Sequence, residues 1–144
     1  MAYASASSFE PARDPALVGV NRRRLAAWVI DSAIIAVLTA LILPVTAFTG
    51  LFAMGGIWLV TGFLYRWAAI SAGSATWGMA VTGLTFIEWD GGPLRPETAL
   101  WHTAIYSLAM GMAPLQLFSI ALMVLTPTKR SLSDAVLGTR TLRR

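Results

Sequence analysis

The chain has 144 residues, of which 56% are hydrophobic and only 12% charged, and its mean hydropathy is +0.65. Soluble domains carry roughly 25% charged residues, so this composition excludes an ordinary water-facing surface and points to one membrane-embedded unit. The net charge of +4 does not indicate nucleic acid, because Lys and Arg stand at the ends of apolar runs, where they act as topology signals. Cysteine is absent, which removes a disulfide framework, a thiol nucleophile and thiolate metal sites.

Residues 1–20 are small and polar, with prolines at Pro11 and Pro15. No apolar stretch follows a basic start there, so this part reads as a flexible cytoplasmic tail, not a cleavable signal. A membrane domain is expected over residues 21–142. Arg22, Arg23 and Arg24 abut an apolar run ending at Leu43, and a helix over 23–43 is long enough to cross ~30 Å of hydrocarbon. Pro44 ends it. A chargeless link over 45–50 leads into a second predicted helix over 51–67, closed by Arg66 and Trp67. The positive-inside rule places the Arg22, Arg23 and Arg24 end and the Arg66 end together on the cytoplasmic side, making an antiparallel transmembrane hairpin.

From Ser71 the chain turns to Gly, Ser and Thr. Leu84 to Trp89 reads as a strand, followed by the turn sequence Asp90-Gly91-Gly92-Pro93, and together these predict a cytoplasmic β-hairpin over 81–95. Pro96 and Glu97 open a helix signal. The uncharged stretch from Thr98 to Thr126 would be roughly 43 Å long as one helix, too long for one crossing and too short for two. Basic residues lie on both sides of it: Arg95 before, and Lys129, Arg130, Arg140, Arg143 and Arg144 after. Two short helices over 97–110 and 113–126, bent between Gly111 and Pro114 into a shallow or re-entrant hairpin, fit this charge pattern. The alternative is a single tilted third span with an external C-terminus. The fold class expected is therefore an all-α membrane protein, with a small cytoplasmic β-hairpin between two helical hairpins.

Asp31 is the most informative single residue, since a carboxylate within an apolar span costs a few kcal/mol to insert. Arg24, seven positions earlier, leaves nearly the same helix face about 10.5 Å away. At that rise a third group or water is expected between them. Other partners for Asp31 are Arg66 on the returning helix and Ser or Thr hydroxyls of a neighbour. Asp31 is either a protonatable, ion-binding carboxylate or half of a polar clamp between helices. His102, the single histidine, reads as a proton carrier or, beside Trp101 and Tyr106, as part of an interfacial aromatic belt, the blander assignment. Gly55, Gly56 and Gly62, with Ala53, offer a small surface for close helix packing. The segment Gly73-Ser-Ala-Thr-Trp-Gly78 lacks the Gly-Lys-Ser/Thr ending of a phosphate loop. Asp134, after Ser131-Leu-Ser133, caps a short helix ended by Gly138, or pairs with Arg24 at the cytoplasmic surface.

Three blocks together resemble the RDD family of small membrane proteins, named for an arginine and two aspartates. They are Arg24-Leu-Ala-Ala-Trp-Val-Ile-Asp31, the Gly-rich middle from Ala75-Thr-Trp-Gly78 through Val81-Thr-Gly-Leu84 to Asp90-Gly91, and Leu132-Ser-Asp-Ala-Val-Leu-Gly-Thr139. The resemblance spans about residues 20–142. It departs from the family pattern at Met79, where a basic residue is common, and at His102, where an arginine is common. The resemblance implies a membrane architecture with Arg24, Asp31 and Asp134 as its polar cluster. It also implies either ion or small-ligand transport or an accessory part in a larger assembly.

No nucleophile-base pair, metal cluster or cofactor motif is visible, so an enzyme, a bound cofactor and a metal site are not expected. The expected function is a non-catalytic accessory or assembly subunit of a larger membrane complex. The alternative is a transporter component with Asp31 as its intramembrane carboxylate. The expected partners are the lipid bilayer and either other membrane subunits or further copies of the chain, with no nucleic acid. The expected location is a bacterial cytoplasmic (inner) membrane, multi-pass, with the N-terminus inside.

Overall fold

The computed structural model describes residues 15–46 and 53–143. Most of the expected tail, part of the link after Pro44, the first two residues of the expected second helix and Arg144 lie outside the described residues. Helix α1, Val20–Ile42, begins three residues earlier than its apolar run suggests, after Gly19 in the left-handed region (φ 70). Its inward residues Ala27, Asp31, Ile35 and Thr39 recur every four positions. That spacing puts them on one stripe, while Leu25, Val29, Val37 and Leu41 on other faces are more than half exposed.

Helix α2, Met54–Gly73, outruns the predicted 51–67. No breaker occurs between Trp67 and Gly73, so Arg66 lies inside the helix and does not end it; the chain leaves at Ser74 with φ 53. Gly62 faces α1, where an added Cβ would meet Ile35 at 3.4 Å. Gly55 and Gly56 have nothing within 4 Å of such a position, so among the described residues the packing role expected of them falls to Gly62 alone. The reason is position: both lie in the first turn of α2, away from the helix contact.

Thr76 caps the short helix α3, Trp77–Val81, by accepting the Met79 N–H. Strand β1, Leu84–Ile87, belongs to a two-stranded antiparallel sheet, but its partner is not the segment after the turn. It pairs with β2, Arg140–Arg143, in the register Leu84 opposite Arg143 through Ile87 opposite Arg140. The turn itself forms, with Glu88 N–H bonded to Gly92 O and Asp90 accepting the Gly92 N–H. Beyond it Pro93 has no N–H to continue a ladder. The Leu94 N–H goes to Ser74 Oγ and the Arg95 N–H to Glu88 Oε1. The local hairpin expected over 81–95 is thereby replaced by a long-range strand pair.

Helices α4, Pro96–Gly111, and α5, Ala113–Leu125, are bent by 117° at Met112, in the place where glycine and proline predicted the break. Helix α6, Leu132–Leu137, is closed by a Ser131/Asp134 capping box and by Gly138 at φ 70. Because β1 and β2 pair, the chain on either side of α4, α5 and α6 returns to one sheet.

The buried apolar cluster, including Val20, Ile70, Met79, Leu84, Phe86 and Ala99, sits where the start of α1 meets α3, the sheet and α4. Among the described residues α1 is the one helix long and apolar enough to cross a membrane, with α4–α5 a second if the bent pair counts as one span. Helix α2, expected as the second span, is not in that set. The most apolar window of α1 has mean hydropathy 2.3 and is only 22% buried. A soluble core helix would be covered, whereas this one turns most of its apolar residues outward and its Asp31 and Thr39 inward.

Candidate functional site

Asp31 lies about three turns into α1 and is 1% exposed, so its charge depends on what the fold brings to it. Its Oδ1 accepts the Tyr65 hydroxyl at 2.8 Å and the Gly78 N–H at 2.9 Å. Its Oδ2 accepts the Thr76 hydroxyl at 2.6 Å, and Arg66 Nη1 stands 3.8 Å away. One carboxylate thus ties α1 to α2 and to the start of α3. Gly78 is required by proximity, since a Cβ there would lie 2.3 Å from the Ala27 carbonyl oxygen and 2.8 Å from Asp31 Oδ1.

Asp134 is the second centre, fully buried at the first turn of α6. Oδ2 accepts Arg24 Nη2 at 2.6 Å, the Ser131 hydroxyl at 2.8 Å and the Ser131 N–H at 3.2 Å. Oδ1 accepts the Thr139 hydroxyl at 3.0 Å and lies 2.9 Å from His102 Nε2. Burial alone would raise the Asp134 carboxyl, but the Arg24 guanidinium and the His102 hydrogen bond outweigh it and hold the group well below the usual carboxylate range. An ionised carboxylate only accepts, so His102 Nε2 carries the proton in this bond. Arg24 also donates to Lys129 O and Ser131 Oγ. It therefore fastens α1 to the entire α5–α6 connection.

Between these centres lies a cavity of about 430 Å³, bordered by α1, α2, α4 and α5 and by the α6 cap. Arg24, Asp31, Arg66 and His102 all reach it, against walls that include Trp28, Met79, Phe86 and Ile120. Arg66 is stacked over the Tyr106 ring at 4.2 Å, and the Tyr106 hydroxyl accepts the Trp28 indole N–H at 3.0 Å. Among the described residues, no three His, Asp or Glu side chains are placed to hold a metal ion.

Arg24, Asp31, Arg66 and His102 therefore border one hollow, and Asp134 is bonded to two of them, Arg24 and His102. Of the partners weighed for Arg24, the structure gives it Asp134, and among the described residues it donates to Lys129 O, Ser131 Oγ and Asp134 and not to Asp31. A rise of about 10.5 Å separates Arg24 from Asp31 along α1, while α6 folds back directly onto Arg24. Asp134 fills both roles offered for it, as cap and as ion-pair partner. His102 is 4% exposed and packed on Phe86 at 4.5 Å between ring centres, so it is no member of an interfacial belt. Sequence reasoning missed Tyr65, Thr76, Gly78 and Thr139, and also buried Glu88, which accepts the Arg95 N–H and the Thr98 hydroxyl. A Thr-x-Gly at a helix start was the signal available for Thr76 and Gly78.

One arginine and two aspartates, the second of them 110 positions from the arginine, are thus the organising charges of the fold, and the RDD family model matches residues 18–138. The chain belongs to the RDD family. No curated protein and no solved structure matches it. In this RDD chain the arginine serves the second aspartate while the first is held by α2 and α3. RDD membership and the outward apolar faces of α1 together mark a membrane-associated domain.

Proposed function

We propose that this RDD chain is a non-catalytic accessory or assembly subunit of a larger membrane complex in a bacterial cytoplasmic membrane. In this reading α1 and α2 form a transmembrane hairpin, α4 and α5 a re-entrant one, and the N-terminus, α3, the sheet and α6 lie on the cytoplasmic side. The observation that carries it is the engagement of both oxygens of each buried carboxylate. Each oxygen of Asp31 and Asp134 is occupied by donors from other elements. That is the arrangement of a clamp, since a carrier must release its donors to take up an ion.

The apolar outer surface supports the same reading. Leu41, Leu117, Val124 and Leu125 are each more than 60% exposed and present flat apolar faces to lipid or to a neighbouring helix. A tagged copy purified from native membranes in mild detergent should carry a stoichiometric membrane partner. A monodisperse protein with no partner that moves ions in liposomes would overturn the proposal.

A transporter component is the second reading, favoured by one observation: Asp31 and Arg66 both border the cavity. Asp31→Asn should then abolish pH-dependent flux in vesicles, and unchanged flux removes the carboxylate from any transport mechanism.

A further inference from the structure

The cavity contains one cation that the fold leaves unspent. The Arg66 side chain is only 13% exposed, yet among the described residues it makes no hydrogen bond. Its contacts are the 3.8 Å approach to Asp31 and the stacking on Tyr106. The Asp31 oxygens are already engaged by Tyr65, Thr76 and Gly78, and Arg66 itself lines the hollow, so it borders that space without a hydrogen-bonded acceptor among the described residues. Gln116 of α5 lines the same hollow, and its side-chain amide has no hydrogen bond among the described residues. A guanidinium whose side chain is only 13% exposed and whose donors border an apolar-walled hollow has hydrogen-bonding capacity left, and an anionic oxygen acceptor uses it best.

The rest of the cavity specifies what carries that acceptor. Trp28 of α1 and Ile120, Met123 and Val124 of α5 give it long apolar walls. Leu25 and Val124, which also line it, are 64% and 65% exposed on the outer apolar surface. The hollow is therefore continuous with the surface that faces lipid. Its volume of about 430 Å³ lies within the ~300–1,000 Å³ typical of ligand sites.

We propose that this cavity binds a single-chain amphiphile entering from the bilayer, with its anionic head group, a carboxylate or a phosphate, held by Arg66 and Gln116 and its tail between α1 and α5. Native mass spectrometry of the full chain in neutral detergent tests this with dodecanoate, dodecyl phosphate, dodecanol and inorganic phosphate. At least one of the two anionic amphiphiles should bind one to one, at least tenfold tighter than dodecanol, and inorganic phosphate should not bind. The stronger of the two identifies the head group. Arg66→Gln should weaken that amphiphile at least tenfold, and Arg66→Lys less. Gln116→Leu should weaken it severalfold, and Ile120→Trp should narrow the tail slot and weaken every amphiphile while leaving the Arg66 surroundings intact. Equal binding of dodecanol, tight binding of inorganic phosphate, or full affinity in a folded Arg66→Gln protein would each overturn the proposal. Should Arg66→Gln fail to fold, unchanged affinity in both Gln116→Leu and Ile120→Trp overturns it equally.

Discussion

Gly78→Ala is the smallest change that tests whether Asp31 holds the fold together. The added methyl carbon would stand 2.3 Å from the Ala27 carbonyl oxygen, 2.8 Å from Asp31 Oδ1 and 2.9 Å from Asp31 Cγ. Neither the α1 backbone nor a carboxylate held on both oxygens can step aside, so α3 must retreat by about 1 Å to restore van der Waals contact. That retreat breaks the 2.9 Å Gly78 N–H bond and stretches the 2.6 Å Thr76 bond. Overpacking costs about 1–3 kcal/mol, and each hydrogen bond to a charged group contributes about 1.5–3 kcal/mol. A loss of about 4 kcal/mol follows, which for a chain of this size lowers the melting temperature by about 10 °C.

The assay is thermal unfolding in mild detergent, followed by the loss of the monodisperse elution peak. Gly56→Ala is the internal control: it lies in α2 with nothing within 4 Å of the new methyl and should be neutral or stabilising by up to ~1 kcal/mol. If Gly78→Ala melted within about 2 °C of the parent protein, α3 would not be seated on Asp31 and the clamp would be wrong.

Asp134→Asn should cost about 3–5 kcal/mol, because it leaves Arg24 buried without its counter-charge, and melting in detergent measures it. The same carboxyl makes α6 docking acid-sensitive. Its folded value lies below the unfolded one near 3.9, so its contribution is complete above about pH 4 and drains away as pH falls further. Hydrogen exchange over 132–137 should show this loss in the parent protein and no such step in Asp134→Asn. Arg24→Lys should lose about 1–2 kcal/mol, because a single ammonium nitrogen replaces the two guanidinium nitrogens that separately serve Lys129 O and the Ser131 Oγ–Asp134 pair. In this cysteine-free chain, Thr85→Cys with Leu142→Cys should form a disulfide under mild oxidation, since these positions are paired. Failure of that pair to cross-link any better than Thr85→Cys with Arg140→Cys would refute the strand register.

The amino-acid sequence by itself determined the features that depend on nearest neighbours along the chain. The outward hydropathy of α1, the stop at Pro44, the bend between Gly111 and Pro114 and the capping of α6 by Asp134 are all local, and all were legible. Arg24, Asp31 and Asp134 were legible as important because a charge beside or within an apolar run must be compensated by something. What compensates them was decided only by the tertiary structure. Arg24 and Asp134 are 110 positions apart, and no periodicity reports which of two aspartates an arginine will meet. The β1–β2 pair was hidden for a related reason: the turn after Glu88 looks like a hairpin, and only Pro93 and the demands of Ser74 and Glu88 divert the chain from it. The cavity exists because α5 bends away at Met112 while Asn21 Nδ2 still reaches Met123 O, so its walls come from elements at opposite ends of the chain. Composition marked the protein as membrane-associated; long-range hydrogen bonds to two carboxylates decided what lies inside.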